Sequence, residues 1–334
     1  MRILIVGGTG FLSSALVAES LAGGHEVTIV TRGRRSIAVA PTVRQIVADR
    51  ADQAAFRTAV QEQTFDAVID AICFTPDQAR QNVDCFAGRI GRLVMISTDF
   101  VYTVGPRALP ISEDLLRDAP TDYGRNKAAA EDIHFASNDS LPATVLRPPH
   151  IVGPGGLLGT GSLQGRDPAL PARLRRGEPI VLLDGGALLI QPADKRDIAR
   201  AALAVLSAPN TAGRAYNIAG PEAVTTRRYY EIVADALGAP LTVASLPSDI
   251  YLKAFPNNAS FARHRMYSLE ALARDASFCP AISLEVSLRD TLAWLEANPP
   301  PGADAPPTAR DSELLAALAE CDRRALDVLA PAVN

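Results

Sequence analysis

The segment ILIVGGTGFLSSALVAESLAGG, residues 3–24, decides the fold of this chain. It begins with a continuous apolar run, passes through a glycine-rich turn and continues in a helical pattern. In the turn, Gly7 permits a tight bend and Gly10 lets a ligand approach the backbone closely. The amides of Phe11 and Leu12 open the helix, whose positive end favours an anion. This arrangement predicts a binding site for the pyrophosphate of a dinucleotide.

Short apolar runs alternate with helical stretches through the first half of the chain. These runs are continuous rather than alternating in polarity, which is typical of a sheet covered on both faces. Strands separated by helix-length segments join through right-handed crossovers and lie parallel. The sequence therefore predicts an α/β fold with a doubly wound parallel sheet of Rossmann type. The predicted strands are residues 3–6, 27–30, 43–47, 67–70, 93–96, 143–146 and 215–218.

A second region interrupts this pattern. Residues 148–184 are rich in glycine and proline, as loops are. The text NPPPGADAPPT, residues 298–308, predicts a stiff linker, and residues 312–329 have helical spacing. We expect that final helix to dock on its own protein, with a contact in a homodimer as the alternative. The predicted domains are a dinucleotide-binding domain over residues 1–150 with 190–220 returning to it, a smaller substrate lobe over 151–189 and 221–297, and a linker and helix over 298–334.

Composition and charge exclude several classes of protein. The 334 residues carry 33 basic and 37 acidic side chains, a net charge of −4, which argues against nucleic acid as the main partner. No apolar stretch is long enough for a membrane helix, and the chain opens without a secretory pattern. We therefore expect a cytoplasmic location. The four cysteines lie far apart and predict buried free thiols, and the four histidines lack zinc spacing, so no metal is expected.

The basic residues are unevenly divided, because 30 of the 33 are arginine and only Lys127, Lys195 and Lys253 are lysine. Arginine and lysine are not interchangeable chemically. Each of the three lysines is therefore a candidate for a task that arginine cannot perform.

The end of the second predicted strand bears on the choice of cofactor. A site for NAD would place a carboxylate there for the ribose 2′-hydroxyl, whereas this chain has TRGRR at residues 31–35. A guanidinium binds a 2′-phosphate bidentately, so the sequence favours NADP over NAD, with Arg32 as the first candidate. The alternative is a solvated basic loop. Asp49, after the third strand, is placed to meet the adenine amino group.

A tyrosine and a lysine follow the fifth predicted strand. Thr98 lies in ISTDFVYTVG, and the text YGRNK begins 25 residues later with Tyr123. Residues four apart share one face of a helix, so Tyr123 and Lys127 point the same way. A phenol with a pKa near 10 is a poor base at neutral pH, and a neighbouring ammonium stabilises the phenolate. The pair is therefore a candidate for acid–base catalysis, with a surface tyrosine and lysine as the alternative.

At this point the chain resembles the extended short-chain dehydrogenase/reductase family, which contains nucleotide-sugar epimerases, dehydratases and ketoreductases. The resemblance covers about residues 1–297 through VGGTGFLSS, ISTDFVY, YGRNK, LRPPHIVGPG, ADKRDIARA and YNIAGPEAVT. It implies that Thr98 hydrogen-bonds the substrate oxygen and that Tyr123 is the acid/base. It also implies that Lys127 binds the nicotinamide ribose and activates the tyrosine, and that Pro148 and His150 line the nicotinamide.

Departures from the family patterns bear on the chemistry. A dehydratase of the family resembles STDEVYG, but here Phe100 replaces the glutamate after Asp99, which argues against dehydration. Asp99 and His150 are candidate substrate contacts. The segment GGALLIQPADK lacks the arginine with which nucleotide-sugar enzymes hold a phosphate. Either Arg263 or Arg265 replaces it, or the substrate is not a nucleotide sugar.

These observations favour an NADP(H)-dependent ketoreductase that moves a hydride to or from a carbonyl or alcohol of a small molecule. We expect a sugar-derived substrate or a secondary metabolite. One alternative is an NAD-dependent nucleotide-sugar epimerase or dehydratase. The other is a non-catalytic module that senses or binds the dinucleotide.

Overall fold

The computed structural model describes residues 1–34, 41–160, 163 and 165–329. Within these residues the strands are β1 (Arg2–Val6), β2 (Glu26–Thr31), β3 (Arg44–Val47), β4 (Ala67–Asp70), β5 (Arg92–Ile96), β6 (Ala143–Arg147), β7 (Ile151–Val152), β8 (Ile180–Leu183), β9 (Leu189–Ile190), β10 (Ala193–Asp194), β11 (Arg214–Asn217), β12 (Val224–Thr225) and β13 (Val243–Leu246). The helices are α1 (Phe11–Ala22), α2 (Gln53–Gln61), α3 (Pro76–Phe86), α4 (Asp122–Ala136), α5 (Leu170–Arg175), α6 (Lys195–Ser207), α7 (Thr226–Leu237), α8 (Ser248–Ala254), α9 (Glu270–Ala276), α10 (Leu284–Ala297) and α11 (Ala309–Leu329).

The predicted doubly wound sheet is confirmed. Its strands follow the order β11-β6-β5-β4-β1-β2-β3, and every neighbouring pair is parallel. The chain winds outward in one direction from β1 to β3 and in the other from β4 to β11. The direction reverses between β1 and β4, and ligands of such sheets bind at the carboxyl ends of the strands at this point.

Strand β1 shows why the runs had to be continuously apolar. Ile3 and Ile5 belong to a buried cluster that includes residues of α1 and α6, whereas Leu4 and Val6 belong to a second cluster with residues of α2, α3 and α4. Successive side chains of a strand point to opposite faces, so a sheet with helices on both sides buries all of them.

The chain divides into two compact units. Unit 1 contains Met1–Ile151, Gln191–Glu222 and Met266–Ser283, and unit 2 contains Val152–Ile190, Ala223–Arg265 and Leu284–Asn334. Residues 266–283, which the sequence predicts in the substrate lobe, belong instead to unit 1. Leu272 lies in the core cluster of α1 and α6, and the Tyr216 hydroxyl donates a 3.0 Å hydrogen bond to Asp275.

Unit 2 has a core of its own. It packs α5, α7 and α10 together through Leu174, Tyr229 and Leu288, beside the parallel pair of β8 and β13. Helix α7 begins after the N-cap Thr225, whose side chain accepts a hydrogen bond from the Arg228 amide. It ends where Gly238 takes a left-handed φ of 63°, a conformation that glycine adopts without steric cost.

The last helix, α11, docks on its own chain along only part of its length. Leu314, Leu315 and Leu318 pack in a cluster of unit 2, as predicted. Cys321, Leu326 and Leu329 continue the apolar spacing but are exposed, because the stripe is longer than the cluster beneath it.

The prediction of buried thiols is wrong for half of the cysteines. Cys73 and Cys85 are buried, Cys279 and Cys321 are exposed, and all four are free. No helix of the described residues is long and apolar enough to cross a membrane.

Candidate active site

The glycine-rich turn joins β1 to α1 in a tightly held conformation. Gly7 has a φ of +107°, and a Cβ there would lie 2.9 Å from Ile72. Ser13, buried at the third position of the motif, accepts a 2.7 Å hydrogen bond from the Gly10 amide and donates a 2.9 Å bond to the Gly7 carbonyl. The first turn of α1 contains no acidic residue, so its amides and its positive dipole are open to an anion.

A cavity of about 490 Å³ lies along this turn. Gly7 and Gly10 line it, as do Arg32, Arg34 and Asp49. The residues present therefore fit a dinucleotide. The glycines leave the backbone open to the diphosphate, the two arginines follow β2, and the Asp49 carboxylate follows β3. Arg35, the third arginine of the predicted basic group, lies outside the described residues.

A buried ion pair that the sequence analysis missed forms one wall of this cavity. The Arg50 guanidinium lies 2.9 Å from Asp70, and it also donates to the Gln78 carbonyl at 3.1 Å and to Asn82 at 3.2 Å. Asp70 accepts a 2.9 Å hydrogen bond from the Ile72 amide. Arg50 is therefore committed to holding the loop after β4 rather than to binding a phosphate.

Thr98 and Tyr123 are brought together by a close approach of two elements. Thr98 Oγ1 accepts a 3.3 Å hydrogen bond from the Phe100 amide and so caps the 3₁₀ turn Asp99–Val101. Helix α4, which carries Tyr123, lies so near this turn that any side chain at Gly124 would clash with the Phe100 carbonyl oxygen. Tyr123 thus lies close enough to Thr98 for the threonine hydroxyl to lower the pKa of the phenol.

The electrostatics of Tyr123 favour the neutral phenol. Partial burial raises the pKa of Tyr123 above its ordinary 10.0, the nearby Thr98 hydroxyl opposes this rise, and the charge of Asp99 adds to it. The side chain remains 45% exposed, so a substrate can reach it.

Lys127 lies one turn further along α4 and is almost completely buried. Its Nζ donates hydrogen bonds to the carbonyl oxygens of Ile96, at 2.5 Å, and Cys73, at 2.8 Å. Burial lowers the pKa of Lys127. The helix thus places Tyr123 and Lys127 on one face as predicted, while the action of the ammonium on the phenol stays a prediction.

The predicted site also includes Asp99, which directly follows Thr98 in the chain, and Pro148 and His150 after β6. Asp99 is buried and accepts a 2.5 Å hydrogen bond from the Tyr267 hydroxyl, and its amide donates to the Pro148 carbonyl at 3.1 Å. His150 is half-buried, and its carbonyl accepts from the Ala193 amide at 2.9 Å. The substrate contacts predicted for Asp99 and His150 stay predictions.

Of the two arginines proposed to replace the missing phosphate ligand, Arg263 is exposed and Arg265 is buried, with its guanidinium 5.4 Å from the centre of the Phe261 ring. Among the described residues, no group of His, Cys, Asp and Glu side chains could hold a metal ion.

Two further residues were missed. Tyr267 lies 168 residues from Asp99, and no motif connects them. Glu131 is buried on α4 and bonds to Ser97 and Arg147. A signal for it existed, because residues 123, 127 and 131 follow one another at four-residue spacing along one helix face.

Known proteins match most of this chain. The model of the NAD dependent epimerase/dehydratase family matches residues 3–219. A 2-alkyl-3-oxoalkanoate reductase of Stenotrophomonas maltophilia is 30% identical over 343 residues, which cover 86% of this chain and 98% of the reductase. A 2′-dehydrokanamycin reductase of Streptomyces kanamyceticus is 28% identical over 255 residues, 75% of this chain and 70% of that protein.

A solved structure confirms the fold. UDP-glucuronic acid 4-epimerase from Bacillus cereus, in complex with UDP-glucuronic acid and NAD, superposes with a TM-score of 0.72 at 18% identity. The match covers 89% of this chain and 99% of the epimerase. The family match includes the glycine-rich turn, Thr98 and Tyr123, and it extends over all seven strands of the parallel sheet. The chain therefore belongs to the NAD dependent epimerase/dehydratase family, also called the extended short-chain dehydrogenase/reductases, and is an NAD(P)-dependent enzyme.

Proposed function

We propose that the chain is an NADP(H)-dependent ketoreductase acting on a small molecule that carries a ketone or the corresponding secondary alcohol. The observation that carries this proposal is that Thr98 and Tyr123 lie side by side in the unit that also holds a cavity lined by the glycine-rich turn, Arg32 and Arg34. A phenol that burial keeps protonated can act as the proton donor of a reduction.

The proposed mechanism assigns a task to each side chain. When bound, the nicotinamide supplies the hydride. Thr98 and Tyr123 both hydrogen-bond the substrate carbonyl, which orients and polarises it, and Tyr123 gives its hydroxyl proton to the oxygen. Two of the three Lys127 N–H groups are taken by carbonyls, and the third is available for a ribose hydroxyl.

The loop after β2 supports the preference for NADP. Thr31 ends the strand, its hydroxyl accepts a 2.7 Å hydrogen bond from Gln45, and Arg32 and Arg34 follow with exposed guanidinium groups. Residues 31–34 contain no carboxylate that could accept from a ribose 2′-hydroxyl. Two cations here favour an additional phosphate.

The proposed substrate is a ketone of a sugar-derived compound or a secondary metabolite. Two relatives are reductases whose names denote keto compounds, and Phe100 stands where a dehydratase of the family has glutamate. Substrate recognition by residues 151–189 and 221–297 belongs to the same proposal. So does a cytoplasmic location, which the four free cysteines favour.

The test is a titration of the purified protein with NADPH and NADH, followed by turnover against a panel of ketones. We expect NADPH to bind at least tenfold more tightly and to be oxidised by at least one ketone. Tightly retained NAD⁺ without NADPH binding would show an epimerase instead. Dinucleotide binding with no turnover of any ketone would show a binding module.

A further inference from the structure

Lys195 occupies a position where a lysine is unfavourable. It is the first residue of α6, directly after the N-cap Asp194, and the dipole of a helix is positive at that end. It is also one of only three lysines in a chain with 30 arginines. The family motifs and the proposed mechanism leave Lys195 without a role.

The Lys195 side chain points across to the start of α1. Its Nζ lies 5.1 Å from the centre of the Phe11 ring and 3.5 Å from Ser14 Oγ. Phe11 is the first residue of α1, directly after the glycine-rich turn. The ammonium thus makes a cation–π contact with the ring of Phe11, beside the amino end of α1.

The charge of Lys195 is not neutralised by a contact. Within the described part of the chain, no carboxylate oxygen lies within 4 Å of its Nζ. Asp194 is the neighbour in sequence, but its carboxylate takes hydrogen bonds from the Arg196 guanidinium at 2.8 and 2.9 Å. Lys253, by contrast, is paired with Asp249 one helical turn away. Asp194 and Asp197 already place carboxylates at the amino end of α6, whereas the first turn of α1 has none, so the ammonium adds its positive charge to the amino end of α1.

A positive charge beside the amino end of a helix costs stability unless an anion binds there. The anion that the fold brings to the start of α1 is the dinucleotide diphosphate. We propose that Lys195 contributes its charge to binding this diphosphate, together with the amides of Phe11 and Leu12. A compact ammonium on a flexible four-carbon stem can attract a diphosphate as a point charge. The proposal rests on dinucleotide binding alone, and neither on the reaction nor on the choice of NADP.

Two ligands separate a phosphate contact from a structural role. ADP-ribose contains the diphosphate, whereas adenosine 2′-phosphate contains the nucleoside and a phosphate but no diphosphate. For Lys195→Met, titration calorimetry at low ionic strength should show a Kd for ADP-ribose about tenfold higher and a Kd for adenosine 2′-phosphate within twofold of the unchanged protein. Lys195→Arg, which keeps the charge, should stay within threefold for both ligands. Lys253→Met, the matched control, should change neither Kd.

Salt gives a second readout of the same variant. The attraction between an ammonium and a diphosphate is screened by ions, so the tenfold difference should shrink below threefold at about 1 M salt. The proposal is overturned if Lys195→Met binds ADP-ribose within twofold of the unchanged protein at low salt. It is equally overturned if the affinities for both ligands fall by the same factor.

A third measurement needs no substitution, because the chain has only three lysines. Acylation with a lysine-selective reagent, followed by peptide mass mapping, should label Lys195 at least fivefold more slowly in saturating ADP-ribose. Labelling of the exposed Lys253 should be unchanged. Equal labelling of Lys195 with and without ADP-ribose would refute the contact. These results hold even if no ketone is reduced or NADH binds as well as NADPH, so they are separable from the proposed function.

Discussion

Ser97 Oγ lies 2.5 Å from Glu131 Oε1, and both groups are buried. Ser97 directly precedes Thr98 in the chain, and Glu131 is two helical turns after Tyr123 on α4. Arg147 on β6 completes the link, with Nη2 2.7 Å from Glu131 Oε2. These contacts therefore connect α4, which carries Tyr123, to β6 and to the residue that precedes Thr98.

Removing the charge of Glu131 should destabilise the protein strongly. In Glu131→Gln, the buried Arg147 guanidinium loses its partner, which costs about 3–5 kcal/mol of the free energy of unfolding. The neighbouring Asp132→Asn is the control, because Asp132 is 60% exposed and its pair with Arg117 is worth at most about 1 kcal/mol. Urea unfolding measures both. Equal losses in the two variants would contradict the role of the buried pair.

Tyr123→Phe should remove turnover and spare cofactor binding. Loss of a positioned proton donor lowers kcat by about 10²–10⁴-fold. The phenylalanine keeps the edge contact with Phe100, whose ring centre is 6.3 Å away, so the Kd for NADPH should change less than twofold. Tyr216→Phe is the matched control, since its hydroxyl bonds to Asp275, and its turnover should be unaffected. Steady-state kinetics with wild-type turnover in Tyr123→Phe would rule out the mechanism.

Arg32→Ala should change the preference between the two cofactors. A hydrogen bond to a charged group is worth about 1.5–3 kcal/mol, so the Kd for NADPH should rise by about 10- to 100-fold. The Kd for NADH should stay within twofold, because NADH lacks the 2′-phosphate. Arg80→Ala removes an exposed arginine that pairs with Asp77 and should leave both constants unchanged. Fluorescence titration measures both Kd values. An equal loss of affinity for NADPH and NADH would contradict the role of Arg32.

Acid should destabilise the protein through His134. Its Nδ1 donates to the Ala130 carbonyl at 2.8 Å, its Nε2 lies 3.3 Å from the Asn82 amide nitrogen, and it is completely buried. Burial lowers the pKa of His134 below 6.5, so the unfolded chain takes up the proton first as the pH falls. The stabilisation is complete above about pH 6.5 and is lost progressively below it.

The comparison that checks this prediction uses urea unfolding at pH 7.5 and pH 5.5. His134→Gln should lose less stability between these two pH values than the unchanged protein does. His25→Gln is the comparison variant, because burial also lowers the pKa of the less buried His25, so its effect on the pH dependence should have the same sign and be smaller. A His134→Gln variant with an unaltered pH dependence would contradict the assignment.

The sequence alone determined what depends on neighbours within one element. The apolar runs located the strands of the parallel sheet to within two residues. The four-residue spacing of Tyr123 and Lys127 placed them on one face of α4. Backbone periodicity and turn chemistry are local properties, so they are legible without the fold.

Only the tertiary structure decided which partners the side chains meet. The carbonyls that bind Lys127 come from Cys73 and Ile96, and the hydroxyl on Asp99 comes from Tyr267. Periodicity could not show that α11 extends beyond its cluster or that Lys195 would reach Phe11. A side chain's hydrogen bonds, burial and pKa depend on atoms brought close from distant parts of the chain, and the packing of the whole unit selects those atoms.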